Sequence, residues 1–191
     1  KINLMALSDN ELIINANKGD VLALEELIYR YDKKVLRLAI KFTGDSDDAK
    51  DIYQEVFIRV YKSLASFQFR SEFSTWLFRI TSNVCITFKR KYNKHNHFSL
   101  NDEQNLAYVS TIPDDGELSP DAFVVNSEYG SKINEALNTL SPNQKMSFLL
   151  KHLEGYKIRE IAEMMNCKEG TIKKYLFDAV RRLKIQLEKS Y

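Results

Sequence analysis

The sequence predicts an all-α protein of two domains joined by an acidic linker, and three observations support this prediction. Apolar residues recur at every third or fourth position through most of the chain, which is the period of amphipathic helices. Only 6 Gly and 3 Pro interrupt 191 residues, so the helices should be long. An acidic stretch rich in turn-forming residues separates two basic parts, and the chain length suits two small domains.

Two helices open the chain, and each is framed by residues that favour helix ends. Polar side chains accept hydrogen bonds from the first turn, and glycines adopt the left-handed conformation after the last turn. The second helix spans Val21 to Thr43, because its apolar residues keep helical spacing over that length. The predicted caps are Ser8, Asp20 and either Asp45 or Ser46, and the predicted stops are Gly19 and Gly44.

The third and fourth helices are predicted at residues 48–65 and 74–92, and they complete a four-helix bundle over residues 1–94. Each helix has an apolar stripe that faces the bundle core. The fourth helix also has a polar side that carries Arg79, Asn83 and Arg90. The stripe residues are Ile52, Val56, Val60 and Leu64 in the third helix and Leu77, Ile80, Val84 and Phe88 in the fourth.

An acidic face runs along the third helix, because Asp48, Asp51 and Glu55 are three and four residues apart. From these residues alone, the favoured interpretation is a solvated face on which Glu55 pairs with Arg59. A metal site is a weaker alternative, because no His or further acidic residue converges on this face. The two histidines at residues 95–97 would bind a metal only weakly, so neither a metal nor a cofactor is expected.

The loop between the third and fourth helices has aromatic and hydrogen-bonding side chains. One interpretation is structural: Ser74 caps the fourth helix, while Phe73 and Trp76 pack into the core. The other is a pocket for an unstacked base, which needs aromatic or polar walls and positive charge for the backbone. The candidates for that pocket are Phe69, Arg70, Ser71, Ser74 and Thr75. The basic run at residues 89–91 suits phosphates and also complements the helix dipole.

The net charge of +2 is unevenly spread along the chain. Residues 1–92 contain 15 Lys and Arg against 12 Asp and Glu, and residues 132–191 contain 12 against 7. Residues 93–131 contain 1 Lys or Arg against 7 Asp and Glu. Basic ends suit nucleic acid. We therefore predict a flexible linker at 95–122, where Pro113 and Pro120 lie, and a second domain at 123–191.

The second domain has the pattern of a helix-turn-helix between residues 157 and 185. A helix that begins with Ser141 as its cap and Pro142 at its first position precedes this motif and ends at Gly155. Ala162 is small where two helices must approach, and Asn166 suits the left-handed residue of the turn. The predicted inner residues are Ile158, Ile161, Met165 and Ile172, followed by Leu176, Val180 and Leu183 in the last helix.

Polar and aromatic residues face outward from the start of the last helix. A recognition helix presents such positions to the major groove of DNA. The alternative is a helical hairpin that exposes lysines without binding DNA. The outward set is Lys168, Glu169, Thr171, Lys173, Lys174, Phe177 and Arg181.

Three stretches resemble a known family: DAKDIYQEVF at residues 48–57, FSTWLFRITSN at 73–83, and GYKIREIAEMMNCKEGTIKKYLFDAVRRLK at 155–184. They are similar to the second and fourth regions of bacterial sigma factors of the extracytoplasmic-function (ECF) type. The resemblance covers almost the whole chain. It implies a surface that binds the clamp helices of the RNA polymerase β′ subunit, and the residues matching that motif are Asp48, Asp51, Gln54, Glu55 and Phe57.

The resemblance also implies that the loop and fourth helix capture the melted non-template strand of the −10 element. Arg79, Asn83, Lys89 and Arg90 would join the loop residues there. The fourth-region module would read the −35 element and contact the β flap, and the linker would thread toward the RNA exit path. An anti-sigma factor is a further implied partner. The chain departs from the family at Asn166, where Gly is usual, and at residues 174–175 and 177–178.

Several function classes are disfavoured by the sequence. No apolar run approaches the roughly 20 residues that a membrane helix needs, and the start lacks the apolar core of a signal peptide. Cys85 and Cys167 are far apart and suit buried thiols. We expect a cytoplasmic protein without membrane insertion or enzymatic activity. The alternatives are a DNA-binding regulator whose bundle dimerises or binds a ligand, and a nuclease that uses the aspartates of residues 45–51.

Overall fold

The computed structural model describes residues 7–99 and 134–188, with side chains described to residue 92 in the first range. Both parts are helical, which confirms the all-α prediction. Most of the predicted linker and the start of the predicted second domain, residues 100–133, lie outside the described residues. The helices are α1 (Asp9–Asn17), α2 (Val21–Thr43), α3 (Ser46–Ser63), α4 (Phe73–Ser99), α5 (Pro142–His152), α6 (Ile158–Met164) and α7 (Glu169–Glu188). A 3-10 turn, Leu64–Ser66, follows α3, and residues 134–138 are helical before α5.

The predicted caps and stops of α1 and α2 and the predicted cap of α3 are confirmed, whereas Ser74, the predicted cap of the fourth helix, lies inside α4, which begins at Phe73. Ser8 accepts a hydrogen bond from the backbone N–H of Glu11 at 3.3 Å, and the Glu11 carboxylate accepts one from the N–H of Ser8 at 2.8 Å. Asp20 caps α2, and Asp45, rather than Ser46, caps α3. Gly44 has a φ of 80°, the left-handed conformation that ends α2.

The N-terminal core forms where α2 packs against α1, α3 and α4. The predicted stripe of α3 is confirmed, because all four of its members are at most 4% exposed. Phe42 and Leu27 of α2 are fully buried against it. This core holds the acidic face of α3 and the loop before α4 on one rigid scaffold.

Helix α4 is longer than predicted and is buried on two faces. It continues to Ser99 instead of ending at residue 92, because no Gly or Pro interrupts the sequence there. Leu77 and Val84 of the predicted stripe are buried, and the other two members are partly buried. A second row of side chains on α4 is also buried, each at most 8% exposed. Its members are Thr75, Phe78, Ser82 and Cys85, which follow one another by three, four and three residues. This second row was not predicted.

The C-terminal part has the predicted helix-turn-helix geometry. Ser141 caps α5 with Pro142 at its first position. Asn166 has a φ of 50°, the left-handed conformation that was predicted for the turn between α6 and α7. Ala162 is 5% exposed, and its carbonyl accepts a hydrogen bond from the N–H of Cys167 at 2.9 Å.

The predicted inner stripe of α7 was wrong at one position. Val180 is 51% exposed, whereas the neighbouring Ala179 is fully buried. The buried side therefore follows Ile172, Leu176, Ala179 and Leu183, with steps of four, three and four residues. The small side chain of Ala179 is thus the one that lies in the interior, where α7 packs against α5 and α6.

The two parts contact each other directly. Helix α5 packs against α2 and α4, and α6 packs against α4. The second buried row of α4 is the side that meets these helices, since Phe78 contacts Tyr156 and the Cys85 thiol lies near Lys145.

Candidate protein and nucleic-acid interfaces

The acidic face of α3 is accessible on the described structure. Asp51 and Gln54 are exposed, and Asp48 is half-buried. Burial raises the pKa of Asp48, and the neighbouring Asp45 carboxylate adds to this effect. Glu55 accepts a hydrogen bond from the Arg59 guanidinium at 2.6 Å, which is the predicted ion pair. Both partners are nearly half exposed, so a protein partner displaces this pair at a cost below about 1 kcal/mol.

Phe57 differs from the acidic residues of the same motif. Its ring is half-buried against the core, and its centre lies 4.8 Å from that of Tyr53. Part of the ring therefore holds α3 in place, and only the remainder is available to a partner. Among the residues that the structure describes, no three His, Cys, Asp or Glu side chains form a group that could hold a metal ion.

An aromatic cluster anchors the loop before α4. Phe67 is 6% exposed, and the centre of its ring lies 5.2 Å from that of Trp76 and 6.1 Å from that of Phe73. Phe73 also contacts Tyr31 of α2, at 5.4 Å between ring centres. The structural interpretation of Phe73 and Trp76 is thus confirmed, and the loop is held firmly against the bundle.

Phe69 lies at the exposed rim of this cluster. Its ring is 44% exposed and its edge meets the ring of Phe67 at 5.0 Å between centres. Its φ is 54°, a left-handed conformation that is rare for a bulky residue. The neighbouring Arg70 is exposed and Ser71 is half-buried. These three residues place an aromatic face beside a cation, as binding of an unstacked base requires.

Ser74 and Thr75, the other two loop candidates, are less accessible. Thr75 is 8% exposed. The Ser74 hydroxyl lies near the hydroxyl of Tyr156, a residue of the C-terminal part. Burial raises the pKa of Tyr156 to about 12. Of the five predicted pocket residues, Phe69 and Arg70 are therefore exposed, Ser71 and Ser74 are half-buried, and Thr75 is buried.

The polar side of α4 is exposed. Arg79, Asn83 and Arg90 are four and seven residues apart, so they share one face. Lys89 is half-buried, and its ammonium lies 5.3 Å from the centre of the Tyr92 ring. The exposed face continues from the loop and carries two guanidinium groups, which suit phosphates and base edges.

The predicted outward face of α7 is also exposed. Lys173, Lys174 and Arg181 are exposed, and Phe177 is 68% exposed between them. At the start of the helix, Lys168 and Glu169 are exposed, and Thr171 is half-buried. A helix with this face fits the major groove, where cations contact phosphates or guanine and an aromatic ring contacts thymine methyl groups.

Sequence reasoning missed the residues between the two parts. Lys145 of α5 is 4% exposed, although lysines are rarely fully buried. Burial lowers its pKa to about 7, and the Lys89 charge adds to this effect. Arg37 and Tyr156 were also missed. The one available signal was that Thr75, Ser82 and Cys85 of the second row on α4 are small, which suggests a helix that is approached from a second side.

The comparisons with known proteins agree with this arrangement. Residues 27–95 match the family described as Sigma-70 region 2, and residues 131–183 match Sigma-70, region 4. Over 187 residues the chain is 32% identical to the ECF RNA polymerase sigma factor SigW of Bacillus subtilis (strain 168), covering 96% of this chain and 98% of that one. The chain belongs to the ECF sigma factors of the sigma-70 family.

Other relatives support the same membership. This ECF sigma factor is 29% identical over 177 residues to the ECF RNA polymerase sigma-E factor of Escherichia coli (strain K12), covering 91% of each chain. Its fold is similar to that of RpoE in complex with the anti-sigma factor NepR from Bartonella quintana, with a TM-score of 0.64, 23% identity, and coverage of 88% of this chain and 98% of that one. It is also similar to CnrH in complex with the cytosolic domain of CnrY, with a TM-score of 0.67, 17% identity, and coverage of 96% and 99%.

The function follows from the family. This ECF sigma factor binds core RNA polymerase and promoter DNA, and it directs the polymerase to promoters for transcription initiation. Sigma factors are non-catalytic subunits of the polymerase, which excludes the nuclease alternative. Among the described residues, no helix is long and apolar enough to cross a membrane.

Proposed function

We propose that the acidic face of α3 is the surface by which this sigma factor binds the clamp helices of the polymerase β′ subunit. Exposed Asp51 and Gln54, half-buried Asp48 and the displaceable Glu55 carboxylate form the contact, and the half-buried Phe57 ring supports it. The observation that carries the proposal is the exposure of these carboxylates beside the rigid aromatic loop. Polymerase binding then brings that loop to the DNA.

The loop and α4 bind the melted non-template strand of the −10 element. Phe69 and Arg70 supply an aromatic face and a cation at the surface, and Ser71, Ser74 and Thr75 supply hydroxyl groups. The exposed face of α4 neutralises the strand backbone through Arg79 and Arg90, with Asn83 between them and Lys89 at its edge. The strained φ of Phe69 supports this role, because such conformations cluster at functional sites.

The C-terminal domain binds the −35 element as duplex DNA and also contacts the β flap. Helix α7 enters the major groove with its exposed face, which holds Lys173, Lys174, Phe177 and Arg181, and the start of the helix adds Lys168, Glu169 and Thr171. Residues 1–94 and 123–191 act as two domains, and the acidic linker at 95–122 passes toward the RNA exit path. The protein works in the cytoplasm, and the anti-sigma complexes of similar structures support an anti-sigma factor as a further partner.

Run-off transcription tests the polymerase-binding surface. Purified core polymerase is mixed with genomic fragments, with and without this protein. We expect promoter-specific transcripts that are lost with Asp51→Ala and Glu55→Ala, because both substitutions remove charge from the acidic face. The matched control is Asp47→Ala, which removes an exposed carboxylate from the same helix outside the proposed contact.

Two results would contradict the assignment. Equal loss of transcripts with Asp47→Ala would mean that the overall charge of α3 matters and the proposed contact does not. Full activity of both test variants, in the presence of promoter-specific transcripts from the unsubstituted protein, would remove the acidic face from the polymerase contact.

A further inference from the structure

A cavity of about 240 Å³ lies between the bundle and the C-terminal part, and each of these two parts contributes a lysine to its lining. Lys89 comes from α4, and Lys145 comes from α5. Among the residues that the structure describes, no carboxylate lines this cavity. The cavity is therefore a positively charged site that neither part forms alone. The uncharged lining residues are Phe42, Asn138, Leu140 and Pro142.

Lys145 is the buried member of this pair of lysines. It is 4% exposed, although a lysine is rarely fully buried unless it is paired. Its ammonium can donate three hydrogen bonds, and in the described part of the chain it donates one, to the Asn138 side-chain oxygen at 2.8 Å. The ammonium also lies 5.8 Å from the centre of the Phe42 ring. Two of its three N–H groups are thus left to donate to a ligand in the cavity.

The positive charge of the cavity is poorly compensated by the described residues around it. Burial and the like charge of Lys89 lower the pKa of Lys145 to about 7. The Cys85 thiol, whose pKa burial raises to about 12, stays protonated near neutral pH and supplies no counter-charge. Burial raises the pKa of Asp48 and the Lys89 charge partly opposes that rise, but Asp48 does not line the cavity. Because a buried ammonium without a counter-charge costs free energy, an anion between the two lysines would stabilise this site.

The size and charge of the cavity fit a single phosphate group. Pockets for drug-sized ligands enclose roughly 300–1,000 Å³, so this cavity suits a smaller ligand. A phosphate monoester carries a charge of about −1.5 to −2 at pH 7 and three strong acceptor oxygens, which match two ammonium groups. A phosphodiester of a nucleic-acid backbone carries one negative charge and would leave one of the two lysines uncompensated.

We propose that the cavity lined by Lys89 and Lys145 binds a small dianion of the phosphate class, either inorganic phosphate or the phosphate group of a small monoester. The anion lies between the two ammonium groups and accepts hydrogen bonds from Lys145. Because α4 and α5 each supply one cation, the bound anion bridges the two parts of the protein. The site shares Lys89 with the face proposed for the −10 strand, whereas Lys145 belongs to the anion site alone.

Isothermal titration calorimetry of the full chain with inorganic phosphate tests this site. Sodium chloride holds the ionic strength constant, and circular dichroism establishes that each variant is folded. We expect saturable binding of one phosphate per chain. Binding should weaken roughly tenfold or more in Lys145→Met and in Lys89→Met, because each variant loses one charged donor. The matched control is Lys91→Met, which removes an exposed lysine of α4 that does not line the cavity and should leave the affinity unchanged.

Three results of this titration would overturn the proposal. The first is the absence of saturable binding to the unsubstituted protein. The second is an unchanged affinity in Lys145→Met or in Lys89→Met, which would remove that lysine from the site. The third is equal weakening in Lys91→Met, which would mean that the general positive charge of α4 attracts phosphate.

Two further titrants identify the source of the phosphate group. Glycerol 3-phosphate is a monoester, and binding at least as tight as that of inorganic phosphate assigns the site to a phosphorylated metabolite. Weaker binding of this monoester assigns the site to free phosphate. Dimethyl phosphate is a diester with one negative charge, and we expect it to bind roughly tenfold or more weakly than inorganic phosphate. Equal affinity for the diester would overturn the dianion assignment and indicate a nucleic-acid backbone as the ligand.

Discussion

At the scale of single residues, two positions show how far local chemistry predicts conformation. Among the described residues, Phe69 and Asn166 are the non-glycine residues with positive φ. The left-handed Asn166 was predicted, because asparagine tolerates this conformation in a turn. The left-handed Phe69 was not predictable, because the aromatic cluster around Phe67 imposes it from outside the local sequence.

Lys173 allows the −35 assignment to be tested at one side chain. It is exposed on the outward face of α7, one turn before Phe177. We expect Lys173→Ala to weaken binding to promoter duplex, and to reduce the slope of log K against log salt by about 1, because one phosphate contact is lost. Fluorescence anisotropy across a salt series measures both quantities. Lys18→Ala, an exposed lysine in the other domain, is the control, and an equal slope in the two variants would count against the assigned face.

At the scale of helices, the sequence predicted the existence of the helices and their caps better than it predicted which side of each helix faces the core. The caps of α1, α2, α3 and α5 all formed as the sequence indicated. The buried side of α7 was predicted wrongly at Val180. Steps of three and four residues both fit its apolar pattern, so residues 179 and 180 are both possible core positions. Packing of α7 against α5 and α6 places the smaller Ala179 in the interior.

Substitutions at the adjacent residues 179 and 180 test which of the two faces the core. Ala179→Leu inserts a larger side chain into a fully buried position, so we expect the free energy of unfolding to fall by about 1–3 kcal/mol. Val180→Leu introduces the same side chain, with a smaller increase in volume, at a position that is 51% exposed, and its effect should stay within about 0.5 kcal/mol. Urea denaturation measures both. A larger loss of stability from Val180→Leu than from Ala179→Leu would mean that Val180 faces the core, as the sequence predicted.

At the scale of the whole molecule, the contact between domains decides which groups are buried. The second row of α4 and the lysine at residue 145 lie where α5 and α6 meet the bundle. Neither could be predicted, because helical periodicity reports the side of a helix that faces its own domain. Ser82 of that row is fully buried, and its hydroxyl donates a hydrogen bond to the Phe78 carbonyl at 2.7 Å.

The buried Lys145 makes stability depend on pH. Its pKa is lowered to about 7 in the folded protein from its ordinary 10.5, so between these values the unfolded chain binds the additional proton and stability rises with pH. The neighbouring Cys85 thiol, whose pKa burial raises to about 12, stays protonated over that range. Lys145→Met lacks this titrating group and serves as the reference. Above pH 7, we expect the free energy of unfolding of the unsubstituted protein to rise, relative to that of Lys145→Met, by up to roughly 1.4 kcal/mol per pH unit.

Urea denaturation at a series of pH values measures this dependence. Below pH 7 the free energies of unfolding of the unsubstituted protein and of Lys145→Met should change with pH in parallel. The lysine is then charged in both the folded and the unfolded state. Lys18→Met, at an exposed position, should follow the unsubstituted protein at every pH. Parallel curves for Lys145→Met throughout the range would mean that the lysine is hydrated in the folded protein.

The sequence by itself determined the helices, their caps, the helix-turn-helix and the outward-facing residues of α3 and α7. These features depend on neighbours three or four residues away, so local chemistry specifies them. Only the tertiary structure decided that Thr75 is buried, that Glu154 is buried against Arg37, and that a lysine lies between the domains. These outcomes depend on two surfaces more than 50 residues apart in the chain, and their contact is set by the shape and charge of both surfaces.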